Sequence, residues 1–288
     1  MKPAPFHYHR PSTIEEAIGI LARHGSDAKP IAGGQSLGPM LNMRLARPAH
    51  VVDLNDLVEL DYVRGAADWI EIGAMTRHHR VATAPEIARD FPLLAAAAAT
   101  IGHYPIRQRG TLGGSLVHAD PAAQLPLIAV LTNAVVLVRG PNGPREIAAA
   151  EFFQSVMTVS LASDELVTAV RFPRPPVATG WGFELFSRRR GDFAMVAVAA
   201  MLAPVGSSGV EALIALGGIG PKPLRLAPIA ERLDAGSTSW AGRIASQMAA
   251  LEIEDDKFIP AAFRRELASS LTEQALLAAA ARMQRAHT

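Results

Sequence analysis

Two short glycine segments constrain the fold of this 288-residue chain more than any other feature of its sequence. They are Ala32-Gly33-Gly34-Gln35-Ser36 and Thr111-Leu112-Gly113-Gly114-Ser115, and in each segment a serine follows shortly after the glycine pair. Glycine lets backbone N–H groups converge on an anion without a Cβ in the way, and consecutive N–H groups form an anion-binding nest. The two segments therefore predict loops that grip one dinucleotide pyrophosphate from two sides.

The alternative is that each segment is a plain glycine turn between a strand and a helix. A helix that begins at Ser36 or Leu37 would add its positive N-terminal end to the first loop. Neither segment matches the GxxxxGK[ST] pattern of a P-loop or a Rossmann GxGxxG after a strand. These departures argue against ATP and against NAD bound in a Rossmann fold.

Punctuating residues divide the chain into units. Ser12–Glu15 has a capping-box pattern that predicts the start of a helix, and His24-Gly25 predicts its end. Apolar residues predict a helix over Pro121–Leu131. Pro173–Pro176 predicts a stiff linker, because proline removes backbone donors and fixes φ. Strands followed by helices beyond the linker predict an α+β unit.

We therefore expect residues 1–175 to form one domain with subdomains at about 1–56 and 57–175, and residues 176–288 to form another. This division gives slightly more than the two domains that the length suggests.

The chain contains no cysteine, and its formal net charge is only +1. Without thiolates it cannot form disulfides or ligate an iron–sulfur cluster. A charge balance this even argues against a broad nucleic-acid surface. No apolar stretch is long enough to predict a transmembrane helix, and no secretory signal is visible. We expect a soluble, cytoplasmic protein.

Sequence patterns give no catalytic residue and no metal site. His78, His79, His103 and His118 lack ligand spacing such as HExxH, and no Ser-His-Asp order or carboxylate pair stands out. Such a chain offers residues that bind a cofactor and little sign of residues that activate a substrate.

Several polar residues have a structural explanation beside a functional one. Asp120-Pro121 fits the N-cap and first position of a helix, with a ligand contact as an addition. Arg107 and Arg109 fit either pyrophosphate neutralisation or loop anchoring. The run Arg188–Arg190 fits a solvated edge or subunit contact better than a phosphate clamp.

The glycine segments and their flanks resemble a known family. Ala32–Pro48 contains AGGxS, Ile106–Pro126 contains IRxxGTxGG[SN] followed by an acidic-proline step, and Arg189–Ala194 contains a GD-aromatic-A motif. Together with Lys2–Phe6 and the C-terminal layout, they resemble the FAD-binding medium subunit of molybdenum hydroxylases of the carbon monoxide dehydrogenase and xanthine dehydrogenase type. The resemblance extends over essentially the whole chain.

The resemblance implies an α+β fold: a two-subdomain FAD-binding PCMH-type module, like that of vanillyl-alcohol oxidase, followed by a small α+β C-terminal domain. It implies FAD as the cofactor, with the pyrophosphate between the glycine segments and the isoalloxazine toward the C-terminal domain. The residues it implies for FAD binding are Ala32, Gly33, Gly34, Gln35, Ser36, Leu37, Ile101, Thr111, Leu112, Gly113, Gly114, Ser115, Asp120, Gln124, Leu166, Val167 and Phe193.

The resemblance also implies partners. A large subunit would hold molybdopterin and hydroxylate the substrate, and a small subunit would hold two [2Fe–2S] clusters, in a dimer of heterotrimers. Electrons would leave FAD for an acceptor such as NAD⁺, quinone or oxygen. The alternatives are a self-sufficient flavin oxidoreductase and an assembly protein that has lost flavin.

Three positions depart from the family pattern. Gln124 stands where relatives often carry Asp or Glu, Leu185 where many carry Lys, and Phe193 where some carry Tyr. Each departure removes a charge or a hydrogen-bond donor, so we expect an effect on flavin affinity and potential.

Overall fold

The computed structural model describes residues 2–206, 209–232, 239–255 and 259–286, which form three sheets that carry most of the helices and one two-stranded hairpin. The first unit is a parallel three-stranded sheet in the order β1-β3-β2. Its elements are β1 (His7–His9), α1 (Ile14–His24), β2 (Ala28–Ile31), α2 (Leu37–Asn42) and β3 (His50–Asp53).

Helix α1 begins one residue later than its sequence pattern suggests. The N-cap is Thr13, whose side chain accepts a hydrogen bond from the Glu16 backbone N–H, while Glu16 accepts one from the backbone N–H of Ser12. The capping box therefore joins Thr13 to Glu16, not Ser12 to Glu15. Gly25 caps the other end as expected, with a positive φ of 52°. The buried face of α1 covers the sheet.

The second unit is an antiparallel five-stranded sheet in the order β4-β5-β10-β6-β7. Seven helices lie between its strands, and one hairpin of β8 and β9 stands apart. The elements are β4 (Val63–Gly65), β5 (Trp69–Gly73), α3 (His78–Thr83), α4 (Pro85–Asp90), α5 (Pro92–Ala99), α6 (Tyr104–Arg109), α7 (Leu112–His118), α8 (Gln124–Leu131), β6 (Val135–Gly140), β7 (Gly143–Ala148), α9 (Ala149–Phe152), β8 (Phe153–Ser155), β9 (Thr158–Val159) and β10 (Leu166–Pro173).

The third unit is an antiparallel sheet in the order β11-β12-β13-β14, with β15 paired to the far end of β13. Its elements are β11 (Gly180–Phe186), β12 (Val196–Val205), β13 (Gly209–Gly217), β14 (Leu224–Arg225), β15 (Ile229–Arg232), α10 (Ser239–Ala249) and α11 (Ala261–Ala286). The strands-then-helices order expected beyond the proline-rich segment is observed.

Strand β12 joins the second and third units into one packed body. Its side chains alternate, as the period of a strand requires. Ala197, Ala199 and Met201 face the core of the second unit, while Val198 and Ala200 belong to the cluster beneath α11. Burial on both faces explains why this apolar run lacks a polar side.

Arg174 fixes the proline-rich segment that precedes β11. Its guanidinium lies 2.9 Å from an Asp90 carboxylate oxygen and donates to the carbonyl of Ala66. Arg89 and Arg174 together hold the pKa of Asp90 well below its usual range. The segment is therefore bound to the second unit. None of the helices in the described ranges is long and apolar enough to cross a bilayer.

Candidate functional site

A cavity of about 460 Å³ opens where the three units meet. The first glycine segment forms one wall, the second forms another, and Gly191–Phe193 reaches it from the third unit. Of the residues expected to bind FAD, all but Leu112 and Asp120 line this cavity. A volume of this size is typical of small-molecule and cofactor sites.

The first glycine segment is an open loop between β2 and α2. Gly34 has a φ of +70°, which favours glycine. A Cβ on Gly33 would lie 1.9 Å from the carbonyl oxygen of Arg109, so Gly33 is the point where the two glycine regions touch. The glycine therefore permits contact between two backbones, and its missing side chain does not point at the cavity.

The N–H groups of this loop are available to a ligand. The backbone N–H groups of Gly33, Gly34, Gln35 and Ser36 donate to no other residue in the described part of the chain. The Gln35 side chain donates back to the carbonyl of Gly33 at 3.0 Å and so stiffens the loop. This arrangement fits the predicted anion-binding loop.

The second glycine segment is not a loop, as the sequence predicts, but the start of helix α7. Thr111 is the N-cap, and its hydroxyl oxygen accepts from the Gly114 N–H at 3.1 Å. Leu112 N–H donates to Thr76, Gly113 N–H to Ala74 and Ser115 N–H to Thr111. The N–H groups of Leu112, Gly113, Gly114 and Ser115 are therefore occupied and do not serve a ligand, and the segment offers side chains such as the hydroxyls of Thr111 and Ser115.

Gly113 serves packing. A Cβ there would lie 2.6 Å from the Cβ of Ala74 and 2.9 Å from its carbonyl oxygen. The expected residue Leu112 is fully buried and points away from the cavity into the core. Sequence reasoning missed this because glycine is a poor helix former and reads as a turn.

Hydrogen bonds from the side chains of Arg77 and Asn55 join the two glycine segments. The Arg77 guanidinium donates to the Arg109 carbonyl at 2.5 Å and to the Asn55 side chain at 2.7 Å. Asn55 in turn donates to the Ala32 carbonyl at 2.9 Å. Burial lowers the pKa of Arg77, and the charge of Arg109 adds to the shift. No sequence pattern indicated Arg77 or Asn55, since the contacts join three distant stretches of chain.

His78 supports the second segment from beneath. It is 6% exposed, and its Nε2–H donates to the Thr111 carbonyl at 2.8 Å. Its Nδ1 has no hydrogen-bond partner and packs against Gly110. Burial lowers the pKa of His78 to about 4, so the ring is neutral at physiological pH.

Gln124 is a buried amide side chain of the cavity wall. It is 6% exposed at the start of α8, and Leu166 and Val167 from β10 lie on the same cavity. Phe193 is 66% exposed and forms part of the rim. Leu185 lies outside this cavity and lines a neighbouring one together with Arg107 and Arg190.

Asp120 does not cap a helix, contrary to the expectation from Asp120-Pro121. Helix α8 begins at Gln124 after Ala123, and Asp120 instead accepts from the Ala122 N–H at 2.8 Å in a local turn. The carbonyl of Pro121 accepts from Gly218 N–H at 2.9 Å, so this turn fastens the second unit to the third.

The arginines near the second segment do not line the cavity. Arg107 donates to the carbonyls of Ile101 and Gly102 and so anchors the chain before α6. Arg188–Arg190 are exposed.

Lys29 is the only lysine or arginine among the described cavity residues, and sequence reasoning missed it. Other cavity residues missed are Met40, Met75, His78, His118, Met157 and Glu165.

The cavity suits a long ligand with an anionic middle. Free N–H groups stand at the first segment, apolar side chains such as Ile101 and Leu166 line the walls, and one amide is buried at Gln124. Glu165, a half-buried carboxylate on the wall, is paired with Arg145 at 2.6 Å. The lining offers binding groups and no paired acid and base.

Two family descriptions match the sequence. "FAD binding domain in molybdopterin dehydrogenase" matches residues 4–175, and "CO dehydrogenase flavoprotein C-terminal domain" matches residues 181–279.

Individual proteins match over most of their length. Caffeine dehydrogenase subunit beta of Pseudomonas sp. strain CBB1 is 38% identical, covering 98% of this chain and 97% of that one. The carbon monoxide dehydrogenase medium chain of Hydrogenophaga pseudoflava is 36% identical, covering 78% of each chain. A structure of carbon monoxide dehydrogenase from the same organism superposes with a TM-score of 0.91 at 33% identity, covering 98% of this chain and 99% of that chain.

Proposed function

Because this chain belongs to the family of FAD-binding medium subunits of molybdenum hydroxylases, we propose that it passes electrons from [2Fe–2S] clusters of a partner subunit to an external acceptor. The chain is an oxidoreductase subunit that binds FAD. The proposal concerns what the bound cofactor does and where its electrons come from.

One observation carries the proposal: the cavity combines a loop of four unused N–H donors with a lining that lacks an acid–base pair. Such a site holds a cofactor without activating a substrate of its own. When bound, FAD supplies the redox chemistry, and the protein supplies binding, orientation and electrostatics.

We assign the holding roles from the cavity. The N–H groups of Gly33–Ser36 bind the pyrophosphate, helped by the hydroxyls of Thr111 and Ser115. Gln124 donates from its amide to a polar edge of the flavin, where a carboxylate could only accept. Phe193, at the rim beside the third unit, covers the isoalloxazine. Leu112 and Asp120 are left out, because neither lines the cavity.

The partner assignment rests on the composition. Iron–sulfur clusters need cysteine thiolates, and this chain has none. Clusters that reduce its flavin are therefore not ligated by the residues of this sequence, and we assign them, together with molybdopterin, to partner chains. We propose a complex with a large and a small subunit, assembled as a dimer of heterotrimers in the cytoplasm.

Purification of the complex through a tag on this chain tests the proposal. We expect copurified large and small chains, with molybdenum and four iron atoms for each FAD. After dithionite reduction of the isolated small chain, mixing with the oxidised flavin chain should bleach the flavin absorbance. A flavin chain that purifies alone and turns over a small substrate would instead identify a self-sufficient oxidoreductase. A colourless chain that cannot be reconstituted with FAD would indicate an assembly protein.

A further inference from the structure

Four of the nine histidines, from three separate stretches of the sequence, meet on one face of the first unit. His7 and His9 lie two residues apart on β1 and so share a face of the strand. His50 begins β3 and pairs with His7 in the sheet register, and His24 ends α1 above them. No motif indicated this cluster, because its members come from three elements.

The imidazole rings are in direct contact. The Nε2 of His9 lies 2.8 Å from the Nδ1 of His50. The ring of His24 stacks on His50 with centroids 3.6 Å apart, and His7 stacks on His50 at 5.0 Å. One ligand atom from each of His9, His24 and His50 lies within 4.8 Å of the other two.

The surroundings of His9 and His24 favour the neutral form of these two rings. His9, His24 and His50 are each half-buried. Burial lowers the pKa of His9 and of His24, and the neighbouring His50 adds to both shifts. Neutral imidazole is the form that binds a metal. The nearby charge of Arg23 disfavours protonation further.

The cluster is separate from the cofactor cavity. His50 pairs with Ala28 at the start of β2, whereas the first glycine segment follows the end of β2. The two features therefore lie toward opposite ends of the same parallel sheet, and none of the four histidines lines the cavity. The inference below is independent of the electron-transfer proposal.

We propose that His9, His24 and His50 form a binding site for one divalent transition-metal ion of the zinc class, with a fourth position for His7 or water. Imidazole nitrogen suits Zn²⁺, Cu²⁺ and Ni²⁺ and is a poor ligand for Mg²⁺ or Ca²⁺. Three histidines with an open position are a known zinc arrangement.

Binding requires small movements. Zinc–nitrogen bonds of about 2.0–2.1 Å place tetrahedral ligand atoms about 3.4 Å apart. The Nε2 of His9 and the Nδ1 of His50 must separate from 2.8 Å to about 3.4 Å, and His24 must tilt out of its stack on His50. The proton between His9 and His50 moves to an outer ring nitrogen, so each ring stays neutral and the metal replaces their hydrogen bond.

Metal titration of the full chain, made without a polyhistidine tag and stripped with EDTA, tests the site. We expect one Zn²⁺ per chain by calorimetry with a dissociation constant below about 10 μM, and a higher Tm in the presence of zinc. Co²⁺ should give the strong visible absorption of a tetrahedral site.

Variants decide whether these residues are the ligands. Loss of a residue that only hydrogen-bonds a metal ligand lowers metal affinity by about 10- to 100-fold. Because His50 is itself a ligand in this proposal, His50→Ala should lower zinc affinity by about 100-fold. His24→Gln, at the exposed end of α1, serves as a second variant if H50A fails to fold. His79→Ala is the matched control, since His79 is another half-buried histidine outside the cluster.

Three results would overturn the proposal: zinc binding weaker than 10 μM in the unmodified chain, equal affinity in H24Q, or equal loss in H79A.

Discussion

The two glycine pairs of this chain look alike in sequence and do different work. In the loop at Gly33-Gly34, four backbone N–H donors have no acceptor in the described part of the chain, and their residues line the cavity. The segment at Gly113-Gly114 gives its N–H groups to Ala74, Thr76 and its own cap Thr111. We assign ligand binding to the first pair, whereas the second pair packs against the neighbouring backbone.

The difference teaches what a glycine pair does not encode. An N–H group binds an anion only if no nearby carbonyl claims it first. At the second segment the backbone carbonyls of Ala74 and Thr76, just after strand β5, accept hydrogen bonds from the N–H groups of Gly113 and Leu112. At the first segment the neighbouring backbone, at Arg109, presents a carbonyl to Gly33 Cα instead.

The largest effect is expected from Gly33→Ala. A Cβ 1.9 Å from the Arg109 carbonyl oxygen forces the two backbones apart, so we expect about 3 kcal/mol lower unfolding free energy, at the upper end of overpacking costs. The purified variant should also lack FAD, measured by absorbance after denaturation. Gly38→Ala is the control: its Cβ meets nothing within 4 Å, and FAD content should be normal. Full stability in G33A would disprove the contact between the segments.

Acid should weaken the second segment through His78. Its folded pKa of about 4 lies below the ordinary 6.5, so the unfolded chain binds the proton first. Stability is therefore complete above about pH 6.5 and falls by about 2–3 kcal/mol as the pH drops to about 4. Urea unfolding at several pH values measures this change.

His78→Gln should remove that pH dependence while keeping a donor for the Thr111 carbonyl. The same pH series on His79→Gln should match the unmodified chain, because His78 is intact. An unchanged slope in H78Q would show that another group causes the acid sensitivity.

Thr111→Val tests the cap of the second segment. The variant keeps the shape of the side chain but removes the acceptor for Gly114 N–H, which should cost about 1 kcal/mol of stability. FAD affinity should fall as well, since Thr111 lines the cavity. Chemical denaturation and FAD titration give the two values, and a stability equal to that of the unmodified chain would contradict the cap.

Ser36→Ala is expected to have the smallest effect on stability. Ser36 occupies the position before α2 but makes no capping hydrogen bond, so unfolding free energy should change by less than about 0.5 kcal/mol. The variant keeps the backbone N–H that we assign to the pyrophosphate and removes only the hydroxyl, which lies on the cavity, so FAD binding should weaken by no more than the loss of one hydrogen bond, about tenfold. If S36A lost stability but kept FAD affinity, and T111V lost FAD affinity but kept stability, the roles assigned to the two segments would be reversed.

Much of the fold follows from local patterns. Capping residues and apolar runs predicted helix α1 and helix α8 to within a few residues of their observed bounds. Sequence patterns failed where the same residue pair occurs both in turns and in helices. Gly113-Gly114 resembled a turn and is helical, and Asp120-Pro121 resembled a helix start and is a turn between two units.

The candidate site divides in the same way. The glycine segments, Gln124 and Phe193 were found because motifs along the chain mark them. Arg77, Asn55 and His78 carry no motif, and the histidine cluster on the first sheet carries none either. Each depends on side chains from stretches that only folding brings together.

The sequence by itself implied the family and the cofactor, through motifs that resemble those of known proteins. It also determined the absence of cysteine ligands for iron–sulfur clusters and the approximate extent of helices such as α1 and α8, which follow from residue identity and apolar spacing and are local properties. The tertiary structure alone decided which N–H groups remain unused, which glycine packs against which backbone, and which histidines meet. A hydrogen bond or a close contact depends on where a second, distant stretch of chain lies, and no local pattern records that position.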